Sequence, residues 1–482
     1  MEIIQDINNS FLSETMIVFF IIINLLFSII FSKKFFRVSK WLCIIQLMIS
    51  LVALSFTQVE PIYLGFNSGI YSNVYTMFFK ILIFVSSIFM VFLSRNFINE
   101  ISSRSFEYFT LILFAVLSSL IIISANDFLI LFTAIEMLSL SIYILITFKR
   151  GVNSKEAALK YIIISTLATC ITLFGISYLY GITGSLNFSQ INNYLITTSN
   201  TEIPLLFNFS SILILLGLMM KIGAIPFANW VADIYEGASF SIAAFISIIP
   251  KVAIFAILIR LSVLIFKFSP MINLIIAIIS ILTIIYGSLG AIRQTNIKRF
   301  MGYSSVTHSG FILLGLLAPI SVYGISTIIY YLVIYIFMNT GAWAALILFN
   351  GKKKMLKISD YKGLIYQRPF YTFAFSICLI SLAGLPPTGG FLAKFYLFSS
   401  IIRTSVGNFF VLIIVMILAS LSIYFYTNLI KNLFDRTIPI KNLYNKATSP
   451  KVLLYLCATL LIVFFLYSDK IIQICQIVSY EI

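Results

Sequence analysis

Long apolar runs alternate with short polar breaks from one end of the chain to the other. They fall at about 12–32, 41–58, 73–94, 106–124, 127–148, 157–180, 208–231, 240–264, 270–290, 302–320, 322–349, 370–401, 406–430 and 451–468, which makes fourteen. At about 1.5 Å of rise per residue, runs of roughly 20 residues match a hydrocarbon core about 30 Å thick. The pattern predicts an all-α polytopic membrane protein with about 14 transmembrane helices, not a barrel. The segment 182–206, with Asn192, Asn193, Ser199, Asn200 and Glu202, reads as a loop. The polar stretch Glu2 to Ser10 does not fit a cleaved leader, so the first apolar run is expected to remain as a span.

Two runs carry helix breakers. Pro226 interrupts the seventh and cannot donate to the carbonyl of Ile222, while Pro386 and Pro387 interrupt the twelfth and free Leu382 and Ala383. Gly384, Gly389 and Gly390 soften the same place. Lipid tolerates such breaks only where protein or water satisfies the backbone. Spans five apart cross the membrane in opposite senses, so a five-helix repeat relating them is inverted, as in transporters built from paired interrupted helices. The expected organisation is an N-terminal three-helix segment at 1–105, a first repeat at 106–265, a second at 266–431, and a C-terminal loop and span at 432–482.

Composition fits this picture: 61% of residues are hydrophobic, 10% are charged, and mean hydropathy is +1.06. The net charge of +16 invites a nucleic-acid reading, but the distribution of charges opposes it. Loops after odd-numbered spans hold 23 of the 32 Lys and Arg residues, among them Lys33, Lys34, Arg95, Lys298, Arg299, Lys352, Lys353, Lys354, Lys441 and Lys446. The opposite side holds Arg260, Lys267, Arg403 and Lys470. By the positive-inside rule both termini face outward, and the charge is mostly topology.

Five basic residues, Lys80, Lys160, Lys221, Lys251 and Lys394, fall inside spans. A charge at the centre of a membrane helix costs about 2.5–3.5 kcal/mol on insertion scales. Lys80 and Lys160 lie nearer span ends, where a lysine can snorkel. Glu136, Lys221, Lys251, His308 and Lys394 sit deeper, in five different helices, and predict a polar axis running along the membrane plane. Lysine suits proton exchange because desolvation brings its ammonium within reach of neutral pH, whereas arginine stays charged. Glu136 is the expected partner of Lys221. Lys394, seven residues and about 10 Å of helix beyond Pro387, is the expected counterpart of Lys221 in the other interrupted helix.

Cys43, Cys170, Cys378, Cys457 and Cys475 are scattered singly through apolar runs and read as small core hydrophobes. No CxxC pair or dinucleotide fingerprint is present, and His308 is the sole histidine. Bound flavin, nicotinamide, metal or iron–sulfur cluster is therefore not expected.

Four stretches carry a family resemblance: KIGAIPFANWVADIYEGASFSIAAFISIIPKVAIFAILIRL from Lys221, NIKRFMGYSSVTHSGFILLGLL at 296–317, EAALKYIIIS at 156–165 and SLAGLPPTGGFLAKFYLF at 381–398. They resemble the N-type antiporter-like subunits of NADH:quinone oxidoreductase, respiratory complex I. The lysine of GFLAKF and the IYEGA stretch favour this type over the M-type, which has glutamate at the place of Lys394, and over the L-type, whose lateral helix is not expected beyond Ile482. The resemblance implies a proton channel of the membrane arm, with Glu136, Lys221, Lys251 and Lys394 as channel residues and Lys160 and His308 as further positions. It implies partners among the other antiporter-like and small membrane subunits, with lipids around them. It also implies that NADH, FMN, iron–sulfur clusters and quinone belong to partner subunits. Ala232 and Ser239 stand where the family pattern has prolines, and Ala228 where it sometimes has histidine, which bears on helix ends. The richness in Phe, Ile, Ser and Tyr suggests an AT-rich genome and a mitochondrial inner membrane, with a bacterial plasma membrane as the alternative. A multisubunit cation/proton antiporter and a non-pumping scaffold are the competing readings.

Overall fold

The computed structural model describes residues 11–30, 36–57, 63–66, 68–94, 97–98, 101, 104–198, 205–318, 322–350, 355–402, 406–436 and 448–482. Glu2 to Ser10, Ser199, Asn200, Glu202, and the basic residues Lys33, Lys34, Arg95, Lys352, Lys353, Lys354, Arg403, Lys441 and Lys446 lie outside them. Among the described residues, eleven helices are long and apolar enough to cross a membrane.

In chain order the helices open with α1 Leu12–Ile30, α2 Phe36–Leu54 and α3 Val74–Leu93. A short antiparallel hairpin, β1 Tyr63–Gly65 and β2 Ile70–Ser72, sits between α2 and α3 with Tyr63 opposite Ser72. The first group of five spans follows: α4 Ser105–Ser124, α5 Phe128–Thr147, α6 Val152–Thr183, the pair α8 Leu205–Ile222 and α9 Asn229–Gly237, and α10 Phe240–Leu264. Inside it α7 Phe188–Thr198 corrects the expected loop. Asn187 caps it by accepting from the Ser189 and Gln190 amides, and Phe188, Ile191 and Leu195 are buried along one face. Asn192 and Asn193, two of the polar residues that suggested a loop, lie between those apolar positions.

The second group is α11 Pro270–Ile292, α12 Ile297–Gly315, α13 Val322–Phe349, then a single turn α14 Leu364–Gln367, the pair α15 Pro369–Ala383 and α16 Gly389–Ile402, and α17 Val406–Phe434. α18 Thr448–Leu466 completes the fourteen expected spans. A further helix, α19 Ser468–Tyr480, was not expected; it lies on its neighbours through Ile472, Cys475 and Val478 at helical spacing. The chain is a multi-pass membrane protein. Its two most enclosed spans are α10 and α13, so the core is itself made of membrane helices.

The two interrupted spans break in the same way. Gly223 and Gly384 take left-handed conformations with φ of 78° and 80°, which a residue with a Cβ rarely adopts. Gly223 N–H donates to Met220 O and Ala224 N–H to Met219 O; Gly384 N–H donates to Ser381 O and Leu385 N–H to Ile380 O. A cis proline follows each turn, Pro226 and Pro387. A shift of 161 residues carries Gly223 onto Gly384 and Pro226 onto Pro387. These matched breaks, five spans apart, are the structural form of the two inverted repeats.

Arg260 is a correction. It is not in a loop but in the penultimate turn of α10, 2% exposed, donating to Ala125 O and Asn126 Oδ1 and stacked 3.9 Å from the Tyr71 ring centroid. The guanidinium there ties α10 to the hairpin and to the α4–α5 turn, which sequence spacing does not reveal.

Candidate proton-handling axis

Lys221 lies in the last turn of α8, where unpaired carbonyls give the helix end a partial negative charge that suits a cation. Its Nζ donates to Ser165 Oγ at 2.6 Å and Ser139 Oγ at 2.9 Å, and stands 3.8 Å from Glu136 Oε1. Ser139 is one turn beyond Glu136 on α5, so the two share a helix face. The expected Glu136–Lys221 pair is present as an ion pair with two serines beneath the ammonium.

Lys251 follows Pro250 in the enclosed α10. It donates to Ser305 O at 2.8 Å, Ser305 Oγ at 2.5 Å and Ser309 Oγ at 2.7 Å, both serines being one turn apart on α12. Among the described residues no carboxylate lies within ion-pair distance, so the charge is held by hydroxyl and carbonyl dipoles alone. Ser309 also donates to Ile222 O at 3.3 Å. That is the carbonyl Pro226 leaves without its helical donor, so the first break meets the residue that holds Lys251, whose one hydroxyl hydrogen also has Ser305 O as an acceptor at 3.0 Å.

His308 is enclosed on α12, with Nδ1 2.9 Å from the Tyr331 hydroxyl and Nε2 3.1 Å from Tyr426. A neutral imidazole has one donor and one acceptor nitrogen, and a hydroxyl can meet either. Tyr426 also pairs with Ser304. Ser305 reaches Tyr235 at 3.1 Å and Tyr335 at 3.3 Å, so hydroxyl groups surround the stretch between Lys251 and His308.

Lys394, on α16, donates to Ala383 O at 2.8 Å and Ser422 Oγ at 3.0 Å, and its ammonium lies 4.7 Å from the Phe311 ring centroid. It does not stand a helical stretch away from the break: α16 folds back against α15, with Gly390 N–H donating to Ser381 Oγ, and the side chain reaches the freed carbonyl. Lys221 and Lys394 are not register equivalents, because Lys221 precedes its break and Lys394 follows its own.

Lys160 stands apart from this row. It is 43% exposed and pairs with Glu156 and Asp233, each at 2.8 Å. Lys80 does not snorkel: at 1% exposure it is locked 2.7 Å from Glu14 of α1, itself fully buried. Glu14, the axis tyrosines and Asp233 escaped the sequence reading because their partners lie on distant spans. The hydroxyls at one-turn spacing from Glu136 and around His308 were the available signal. Among the described residues no group of His, Cys, Asp and Glu could hold a metal ion.

Residues 125–422 match the family model described as NADH:quinone oxidoreductase/Mrp antiporter, transmembrane. The chain belongs to this family. Within the family, the chain is 36% identical over 367 residues to NADH-quinone oxidoreductase subunit N of Magnetococcus marinus, covering 75% of this chain and 74% of the relative. It is 33% identical over 461 residues to the chloroplastic NAD(P)H-quinone oxidoreductase subunit 2 of Mesostigma viride, covering 93% and 91%. A chain of respiratory complex I from Thermus thermophilus has the same fold, with a TM-score of 0.81 at 26% identity over 96% of this chain and 98% of that one. The family match spans Glu136, Lys221, Lys251, His308, Lys394 and Ser422.

Proposed function

We propose that this chain is a proton-translocating subunit of the membrane arm of a respiratory NADH:quinone oxidoreductase, working beside other antiporter-like and small membrane subunits. The observation that carries this reading is the row Glu136, Lys221, Lys251, His308 and Lys394, drawn from five different spans and flanked by serine and tyrosine hydroxyls beside two broken helices. Glu136 holds Lys221 as an ammonium, and weakening that pair releases its proton to the neighbouring hydroxyls. In this reading NADH, FMN, iron–sulfur clusters and quinone belong to partner subunits. Moving one charge against 100 mV takes about 2.3 kcal/mol, which must arrive from those partners along the axis. In this reading the spans grouped as 106–265 and 266–431 are the two working halves, flanked along the chain by 1–105 and 432–482.

The finer localisation, a mitochondrial inner membrane with a bacterial plasma membrane as alternative, rests on composition; the relatives named above are from a bacterium and a plastid. In the assembled complex, Lys221→Ala is expected to abolish proton translocation, followed with a pH-sensitive dye in sealed vesicles. Intact translocation would refute the reading. The family description also covers Mrp antiporters, and a pH change that depends on sodium without NADH oxidation would favour that alternative.

A further inference from the structure

The shift of 161 residues that carries Gly223 onto Gly384 and Pro226 onto Pro387 also carries Ile225 onto Pro386. The two breaks differ at this position. A proline has no backbone N–H, so the second break has no donor to place there, whereas Ile225 brings one. A backbone donor away from water needs an acceptor. The one it finds is Thr283 Oγ1 of α11, at 3.1 Å. Thr283 is fully buried, and its own hydroxyl hydrogen goes to Ile279 O at 2.6 Å, one turn back on the same helix, which leaves the oxygen free to accept.

α11 belongs to the second repeat, so the break of the first repeat is held from the other half of the chain. Tyr286, three residues beyond Thr283, donates to Asn229 Oδ1 at the start of α9. On α12, Ser309 Oγ lies 3.3 Å from Ile222 O. α11 and α12 are themselves pressed together: a Cβ at Gly287 would stand 2.5 Å from Thr307 Oγ1, and one at Gly310 3.0 Å from Ser280 O. The stretch from Ile222 to Asn229 is thus gripped at three points by one closely packed pair of helices. At the second break, Lys394 meets Ala383 O and the Gly390 N–H meets Ser381 Oγ, both within its own repeat. The grip on the first break reaches Lys221 through the backbone. The N–H groups of Gly223 and Ala224 bond back to Met220 O and Met219 O, in the last turn of α8 that carries Lys221. Holding the turn at Ile225 therefore fixes where that last helical turn stands, and with it the 3.8 Å between Lys221 Nζ and Glu136 Oε1.

We propose that Thr283 is a positioning residue for the proton-handling axis. Through the Ile225 N–H it ties the break beside Lys221 to α11, so that the second repeat sets the place of the Lys221 ammonium against Glu136. Thr283 carries no proton on the route and acts only through the backbone of the break. The second break lacks the donor for such a tether at the matching position, because Pro386 stands there. The inference rests on the proton-translocating reading above and adds which residue sets the geometry of the first lysine.

The test uses the whole complex in sealed vesicles, with assembly checked for each variant, the initial rate of dye quenching as readout, and Lys221→Ala run alongside. Thr283→Val keeps the shape and loses the acceptor. It is expected to slow translocation about tenfold, the scale of one buried backbone donor left unpaired. Thr283→Ser keeps the oxygen and is expected to recover most of the parental rate. Ile225→Pro removes the donor instead, in a turn whose counterpart already carries Pro386. It strands no N–H, so a similar slowing there reports the lost tether itself, and it decides the matter if Thr283→Val does not assemble. Because both changes break one bond, the double variant is expected to be no slower than either single variant, whereas independent packing damage would multiply. Parental rates in Thr283→Val or Ile225→Pro would overturn the inference, as would failure of Thr283→Ser to recover or a multiplied loss in the double variant. If Lys221→Ala blocks translocation while the tether variants run at the parental rate, the positioning role is wrong and the function stands. If Lys221→Ala also translocates normally, the function itself is wrong.

Discussion

The Lys394 ammonium donates to the Ala383 carbonyl at 2.8 Å, so a charged side chain closes the gap in the helix that the chain's own prolines opened. The bond links two costs. A buried ammonium needs acceptors, and a carbonyl stripped of its helical donor needs a donor. Each satisfies the other, and Ser422 supplies a second acceptor. At the first break the same work is divided: Ser309 donates to Ile222 O and also accepts from Lys251. The broken helices are therefore points where backbone acceptors join the charged row.

Lys394→Met leaves Ala383 O buried without that donor, a loss of about 1–3 kcal/mol. It is expected to lower the thermal midpoint of the complex and stop translocation. Lys394→Arg keeps a donor but cannot give up its proton. It is expected to assemble and oxidise NADH while moving few protons, read as dye quenching per NADH consumed.

Gly384 has φ of 80°, and a Cβ there would stand 2.7 Å from Lys394 Cδ. Gly384→Ala is expected to cost about 1–3 kcal/mol from backbone strain alone and to displace the lysine. Reduced retention of the subunit in purified complex, with slower translocation, is the expected result. An unaltered rate would show that the lysine tolerates the shift.

Ser305→Ala with Ser309→Ala removes two hydroxyl acceptors from Lys251 and leaves it Ser305 O. Hydrogen bonds to a charged group are worth about 1.5–3 kcal/mol each. The double variant is expected to slow translocation at least about tenfold, with each single variant intermediate. The measurement is the initial rate of dye quenching in assembled complex.

Glu14→Gln strands the Lys80 ammonium among apolar side chains, since the two form an ion pair at 1% and 0% exposure. Removing one partner of a buried pair typically costs about 3–5 kcal/mol, whereas replacing both by apolar groups is often near neutral. Glu14→Gln is expected to impair assembly, and Glu14→Leu with Lys80→Met to restore much of it. Equal assembly of the single and double variants would count against a buried pair.

The apolar runs, the two proline breaks and the charges inside spans were legible in the sequence. Each is a local property that a membrane penalises: exposed backbone, a missing donor, or a desolvated charge leaves its mark residue by residue. Thus the fourteen spans, both interruptions and the row from Glu136 to Lys394 follow from reading along the chain. Only the tertiary structure decided what each charge faces. It paired Lys80 with Glu14 across 66 positions, gave Lys251 two serines from α12, enclosed Arg260, and sent Lys160 to Asp233 at the basic face. It also brought Lys394 back onto Ala383, because a left-handed glycine ends a helix that spacing alone would have continued. Hydrogen bonds act over about 3 Å, and which groups come that close depends on helix packing, which residue order leaves undetermined.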